Sequence, residues 1–564
     1  MNEASTTLLP LVALVWPLAL AVLASLPPVR PHAIRLLPLA PLPALWLGFA
    51  GAQGSASFPA LLLGVRLAAS PAGALLFVMT AALWLGAAVY AQSYMAGTRK
   101  PAVFAGFWCL TLAGNLGVFL AADVATFYVA FATVSLAAYV LIVHEATEAA
   151  LRAGRVYVAM VVLGEVCLLA AFVIGIEAAN SLEIAEIRAA LAGAPLGALA
   201  VILLVAGFGI KAGLMPLHIW LPLAHPAAPT PASAVLSGAI VKAGIIGMML
   251  FLPANIGFAR GLVVLGFVGA FAGALFGLSQ SNPKAILAFS TISQMSLVTA
   301  LIGSAVTSGA GYEQIAFYAL HHGLAKGALF LSVGLVAASA DHWRAALLAA
   351  TALVALSVAG APFTGGSLAK LGAKSGLEGT AETALTLSAI TTTLVLAWFL
   401  LVLAQRKHRG GSPPALLAMP TLALGFAALV VPWGLGSGWS GLQEGYPLKP
   451  TSLWSSAWPV AVGIAAAFAW SHHQVSATSP FGQRATSLLR RFHGLIFHIF
   501  CFTKTAAQRR ERCIRKGNIC AWAVLRSALQ VADALEQRLR LGRNACLFLI
   551  ILCAAIVGSK WGPD

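Results

Sequence analysis

Charge is what this chain has least of. Asp, Glu, Lys and Arg together make up 9 % of its 564 residues, against about 25 % in a soluble domain. With 60 % apolar residues and a mean hydropathy of +0.91, such a chain could not cover its own surface in water. A soluble enzyme or binding module is thereby excluded, and bilayer hydrocarbon becomes the solvent for most of the molecule. Paired cysteines are lacking too. Cys109, Cys167, Cys501, Cys513, Cys520, Cys546 and Cys553 form no Cys-x-x-Cys pair, so neither a zinc site nor an iron–sulfur cluster is supported. They read as small apolar residues. No nucleotide loop, flavin motif or cluster ligation is visible, so no cofactor is expected in this chain and any driving reaction belongs to other subunits. Finally, Met1 to Thr7 carries no basic residue before the apolar run Leu8 to Leu26. That run is expected to be an uncleaved first span rather than a signal peptide.

What is present is a long succession of apolar stretches. A spanning helix needs about 20 apolar residues, and about sixteen such spans are expected, centred near residues 17, 43, 80, 112, 133, 166, 204, 244, 269, 293, 325, 358, 394, 424, 463 and 552. The connections alternate in basic content. One set carries Arg30, Arg35, Arg99, Lys100, Arg152, Arg155, Lys284, Arg344, Arg406, Lys407 and Arg409; the other is acidic or poor in cations, with Asp123, Glu177, Glu183, Glu186, Glu313, Glu378 and Glu382. By the positive-inside rule the basic loops face the cytoplasm. The expected location is the cell's inner (plasma) membrane, crossed many times, with both termini outside.

The segment 476–543 has a different character. Between residues 478 and 543 thirteen Lys or Arg face only Glu511, Asp533 and Glu536. Leu488, Leu489, Phe492, Leu495, Ile496, Ile499 and Phe500 recur at helical spacing, as do Trp522, Leu525, Leu529 and Leu535. This pattern suits a basic amphipathic arm lying on the cytoplasmic membrane surface or on partner subunits, up to roughly 100 Å long if fully helical. Nucleic-acid binding is the other use of a basic run, but spans on both sides of the segment argue against it.

The informative charges are those inside the spans. A lysine at membrane depth costs from about 2.5 to over 10 kcal/mol and normally faces a polar interior. Lys211, Lys242, Lys326, Lys370 and Lys374 all interrupt apolar stretches, as do Glu165 and the pair His321 and His322. Burial disfavours the ammonium form, a second cation disfavours it further, and a carboxylate restores it, so such groups can exchange protons near neutrality. Lys374, and Lys284 beside its loop, are also consistent with snorkelling to the interface. Two spans look broken. Lys211 is followed by Pro216, Pro222, Pro226, Pro229 and Pro231, and Lys370 is preceded by Gly360, Pro362, Gly365 and Gly366. Broken helices in matching positions point to an inverted-repeat transporter with midplane sites.

Four stretches carry a family resemblance: Lys211-Ala-Gly-Leu-Met-Pro-Leu-His-Ile-Trp-Leu-Pro followed by Ala-Pro-Thr-Pro-Ala-Ser-Ala, Lys284-Ala-Ile-Leu-Ala-Phe-Ser-Thr-Ile-Ser-Gln-Met, His322-Gly-Leu-Ala-Lys-Gly-Ala-Leu-Phe-Leu, and Leu356-Ser-Val-Ala-Gly-Ala-Pro. In their order the chain resembles the proton-conducting, antiporter-like membrane subunits of complex I, membrane-bound hydrogenases, formate hydrogenlyases and multisubunit cation/proton antiporters. The resemblance implies an all-α membrane fold with two inverted five-helix repeats, each with a broken helix. The expected organisation is N-terminal spans over 1–100, a first repeat over 101–255, a second over 256–410, further spans over 411–475, the arm over 476–543 and a final span over 544–564. It also implies a midplane proton relay of Lys211, Lys242, His322, Lys326 and Lys370, with Glu165, and with His218, His321 and Lys374 as accessory groups.

One departure is visible. The family places a glutamate after an aromatic residue in the fifth span, where it pairs with the first lysine; here Phe131 is followed by Ala132. Glu165, one span later, is the candidate replacement. The expected function is proton translocation within a multisubunit, redox-driven complex of the quinone oxidoreductase or hydrogenase type. The expected partners are other membrane subunits, a peripheral redox arm, the lipid bilayer and protons, and no nucleic acid. Alternatives are an Na⁺/H⁺ antiporter module, a proton-driven partner of an inorganic-carbon uptake complex, and a structural anchor that lost conduction with its glutamate.

Overall fold

Proline and small polar residues start the helices of this chain. A computed structural model describes residues 3–49, 55–254, 256–406 and 411–475; the arm over 476–543 and the final span near residue 552 lie outside them. Helix α1 (Glu3–Ser25) is followed by the short α2 (Ala33–Leu36) and α3 (Leu42–Phe49). A small antiparallel hairpin, β1 (Ala56–Phe58) with β2 (Val65–Leu67), comes next. Then α4 (Pro71–Tyr94), α5 (Pro101–Leu120), α6 (Val124–Ile142) and α7 (Glu148–Ala179) run through the molecule. Their starts follow the ordinary capping logic: Ser70, Asp123 and Thr147 accept from the backbone N–H of Gly73, Thr126 and Ala150, and proline occupies the first position of α4 and α5, where its missing N–H is not needed. Asp123 also accepts from the Arg66 backbone N–H (2.8 Å), and the Arg66 side chain pairs with Glu183. The hairpin thus ties together three loops at one end of the bundle.

After the short α8 (Ile184–Leu191), α9 (Gly197–Ala212) stops short and α10 (Trp220–Ala227) resumes its course. The next rod is built from α11 (Thr230–Val235), a π-helical turn over Leu236–Ile240 and α12 (Lys242–Phe251). Helices α13 (Ile256–Leu278), α14 (Pro283–Ser308) and α15 (Glu313–Ala338) follow. A second interrupted rod, α16 (Asp341–Ala359) and α17 (Gly365–Lys374), precedes α18 (Gly379–Ala404), α19 (Ala415–Ser440) and α20 (Pro450–Val475).

Thirteen helices among the described residues are long and apolar enough to cross a membrane, and the chain is a multi-pass, mostly helical membrane protein. Of the three remaining expected spans, that near residue 17 is the shorter apolar helix Leu9–Ser25 and that near residue 204 is the 16-residue α9. Breaking a span at Lys211 leaves each piece too short to cross alone.

Burial sorts the helices. Thr230–Phe251, Pro283–Ser308 and Glu313–Ala338 are almost wholly enclosed. By contrast α7 turns Val162, Leu163, Val166, Leu169 and Val173 outward while Gly164, Glu165 and Leu168 face in. Apolar residues on the outer face and a carboxylate on the inner one invert the order of a soluble protein, as lipid solvation requires. Small residues let the central helices meet. A Cβ on Gly238 or on Gly323 would lie 2.8 Å from the other's carbonyl oxygen, so this pair brings the π-helical turn onto α15 at backbone contact.

Candidate functional site

Both interrupted rods break in the same way. Helix α9 ends with Gly213 in the left-handed region (φ 75°), and Gly213 and Leu214 donate back to the Ile210 and Gly209 carbonyls (3.2 and 2.8 Å). Helix α16 ends with Gly360 likewise left-handed (φ 91°), and Ala361 donates to the Leu356 carbonyl (3.0 Å). Glycine is needed there because a Cβ is disfavoured in that conformation. Each break leaves a lysine beside it.

At the first break Lys211, 3 % exposed, donates to Ser135 Oγ (2.7 Å) and lies 5.4 Å from the Phe131 ring centroid. Ser135 sits one turn along α6 from Ala132, on the same face, so a hydroxyl meets the ammonium where the family's acid is absent. The Ser135 carbonyl accepts from the buried Tyr157 hydroxyl (2.7 Å). Glu165 projects from α7 into the same pocket, facing Ser135 and acting electrostatically on Lys211. Neither carboxylate oxygen has a hydrogen-bond partner of standard geometry among the described residues. The Trp220 indole donates across the break to the Ile210 carbonyl (2.7 Å).

In the centre, Lys242 is fully buried and donates to the Ser237 carbonyl (2.8 Å), within the π-helical turn. Its Nζ also lies 2.9 Å from His322 Nδ1. Either an ammonium donates to a neutral imidazole there, or a neutral amine accepts from an imidazolium; the two arrangements differ by one proton. The π turn presents the Ser237 carbonyl to Lys242 because the extra residue disrupts the regular ladder. Ser237 Oγ pairs with Thr291 Oγ1 (2.7 Å). Lys326, one turn beyond His322 on α15, donates to the Leu287 carbonyl of α14 (3.1 Å).

On the far side, His321 Nε2 pairs with Ser357 Oγ (2.9 Å), which also accepts from the Gly366 N–H (3.2 Å) and so bridges the second break. Lys370 donates to the Ala359 carbonyl (2.8 Å), at the negative end of the α16 dipole. Lys370 and Lys374 line one small cavity with Ser455 and Ser456 of α20. Lys374 is ion-paired to the half-exposed Glu382 (3.1 Å).

The structure therefore joins Lys211 with Ser135, with Glu165 nearby on α7, Lys242 with His322, and His321 with the second break. It links Lys326 to backbone, and it sets Lys374 at the rim in a surface pair. His218 is fully buried in the segment between α9 and α10, its ring 5.9 Å from that of Phe289. Sequence reasoning did not single out Ser135, Tyr157, Ser237 or Ser357. A serine in an apolar helix is too common to stand out, although Ser135, three residues from Ala132, shares that residue's face. It also passed over a buried chain in which Tyr318 donates to Gln294, whose amide donates to Thr392 Oγ1 (3.0 Å).

The chain is a multi-pass helical membrane protein with two broken helices and a string of buried lysines and histidines. Residues 121–395 match the family described as NADH:quinone oxidoreductase/Mrp antiporter, TM, and over that stretch the chain is similar to antiporter-like membrane subunits. Among curated relatives, hydrogenase-4 component B of Escherichia coli (strain K12) is 31 % identical over 44 % of this chain and 40 % of its own length. The NAD(P)H-quinone oxidoreductase chain 4 1 of Picosynechococcus sp. is 34 % identical over 42 % of this chain and 45 % of its own. The chain thus spans less than half the length of these two relatives. A chain in the Mrp complex of Dietzia sp. DQ12-45-1b has the same fold, with a TM-score of 0.67 and 20 % identity, covering 82 % of this chain and 99 % of that one.

Proposed function

We propose that this chain is the proton-translocating, antiporter-like subunit of a multisubunit, redox-driven membrane complex of the hydrogenase or quinone oxidoreductase type. Protons pass along Glu165, Lys211, Lys242, His322, Lys326 and Lys370, with His218, His321 and Lys374 in accessory roles. The observation that carries the reading is the fully buried contact of Lys242 with His322, 2.9 Å apart. Two bases at hydrogen-bond distance share one proton cheaply but two only with strong repulsion, so charge at this pair responds to charge on either side. A structural anchor has no use for such a pair at membrane depth.

In this reading residues 101–255 and 256–410 are two five-helix repeats of opposite orientation, each with its fourth helix broken. The basic loops face the cytoplasm of a cell bounded by this membrane. Other membrane subunits and a peripheral redox arm supply the energy, in keeping with the names of the hydrogenase and quinone oxidoreductase relatives. The fold shared with the Mrp chain favours one second reading, an Na⁺/H⁺ antiporter module. Mass spectrometry of the complex, purified gently through a tag on this chain, separates the two. Redox subunits that co-purify support the first reading. A complex of antiporter subunits alone, with proton flux that requires Na⁺, overturns it in favour of the second.

A further inference from the structure

The solvent of a membrane protein is made of molecules with a polar head and an apolar tail, and a cavity at the ends of the spans can hold both parts. At the end of the bundle that carries the acidic loops, an open cavity of about 550 Å³ lies among α4, α8, α12, α14 and α15. The short α8 builds one wall. It buries Ile184, Ile187 and Leu191, and with its C-cap it turns Ala185, Arg188, Ala189 and Ala192 to the cavity. These four positions fall at i, i+3, i+4 and i+7, one face of a helix. Three alanines leave room there, and the one long side chain is a guanidinium. Helix α8 also borders the lipid, since Leu196 and Leu199 just beyond it are exposed; an amphipathic helix in such a place lies at the interface.

The facing wall is apolar, with Leu250 and Leu252 where α12 ends and Val306 in the last turn of α14. Glu313, in the first turn of α15, completes the lining. A Cβ on Gly311, also in the wall, would run into the Glu313 carboxylate, so the glycine leaves that group its place. Arg188 and Glu313 thus line one cavity without pairing, and neither has another ion-pair partner among the described residues. The helix ends repeat this division of charge. Helices α4 and α15 begin at the cavity while α12 and α14 end there, so dipole ends of both signs meet it. An anionic lipid would leave Glu313 facing like charge, and water alone would wet the leucines.

We infer that this cavity binds the headgroup and upper acyl chain of a zwitterionic phospholipid with a primary ammonium, phosphatidylethanolamine. The Arg188 guanidinium donates to the phosphate and the lipid ammonium donates to Glu313, while the acyl chain lies on Leu250, Leu252 and Val306. A lipid seated there closes one end of α12, α14 and α15, helices that are otherwise almost wholly enclosed, against water. The inference does not depend on the route that protons take.

The test uses the intact complex in nanodiscs of equal parts phosphatidylethanolamine, phosphatidylglycerol and phosphatidylcholine, with assembly checked by co-purification. Mass spectrometry counts the lipid that stays with this chain when the complex is taken apart. The wild type should retain phosphatidylethanolamine over phosphatidylglycerol by about tenfold or more, and over phosphatidylcholine several-fold, because choline has no N–H to donate. Arg188→Gln and Glu313→Gln should each lower that retention about tenfold. Ala189→Trp, which fills the cavity from an exposed position, should abolish it. Equal retention of the three lipids, a preference for phosphatidylglycerol, or no retained lipid overturns the inference. Phosphatidylethanolamine that stays bound in Ala189→Trp also overturns it, by placing the lipid elsewhere.

Discussion

The two broken helices have nearly the same backbone and opposite side-chain surroundings. Each ends in a left-handed glycine, and each places a lysine beside the gap. Lys211 then turns to a group supplied by another helix, Ser135 of α6, and Glu165 of α7 faces the same serine. Lys370 turns back to the Ala359 carbonyl of its own broken rod and lies in a cavity shared with Lys374. The first site sets its lysine against a serine hydroxyl with a buried carboxyl group nearby. The second sets its lysine against the carbonyl end of α16, beside a small cavity. The same local device serves two purposes because a helix break fixes where a lysine stands, while its neighbours decide what its charge costs.

If that contrast is right, the largest effect comes from the first lysine itself. Lys211→Ala should reduce proton flux by about 100-fold or more, measured in proteoliposomes of the whole complex, with assembly checked by co-purification. Next comes Glu165→Gln, with an expected loss of about tenfold from removing the carboxylate that favours the charged lysine. Adding Ala132→Glu to that variant should recover flux, since it returns an acid to the face of α6 next to Ser135. Unchanged flux in Glu165→Gln beside a dead Lys211→Ala would show that Glu165 has not taken over the missing acid's role. The smallest effect belongs to Lys374→Ala. Its ion pair with Glu382 is partly exposed, and such pairs contribute only about 0–1 kcal/mol, so flux should stay within about twofold. A large loss there would mean that the second site depends on an acid after all, and the contrast would fail.

Legibility in the sequence followed the physics of each feature. The spans could be read because a bilayer imposes a minimum apolar length, and thirteen of the expected centres fall within helices long enough to cross. Both breaks could be read because proline and glycine act locally on the backbone. Of the candidate site, the lysines stood out by their cost in hydrocarbon. Ser135, Ser357 and the π-helical turn at Leu236–Ile240 did not, since serine in a span costs little and a π turn leaves no mark in residue type. The pairing of Lys242 with His322 spans 80 positions, and nothing local specifies it.

Taken alone, the sequence determined the solvent, the spans, the two interruptions and the cations beside them, because each depends on composition or on one residue's backbone preference. Only the tertiary structure decided the partner of each cation. It set a serine against Lys211, His322 against Lys242, and backbone carbonyls against Lys284, Lys326 and Lys370. Partnership depends on how closely helices distant in sequence approach, and that is settled by packing at positions such as Gly238 and Gly323, where the absence of a side chain lets two backbones meet.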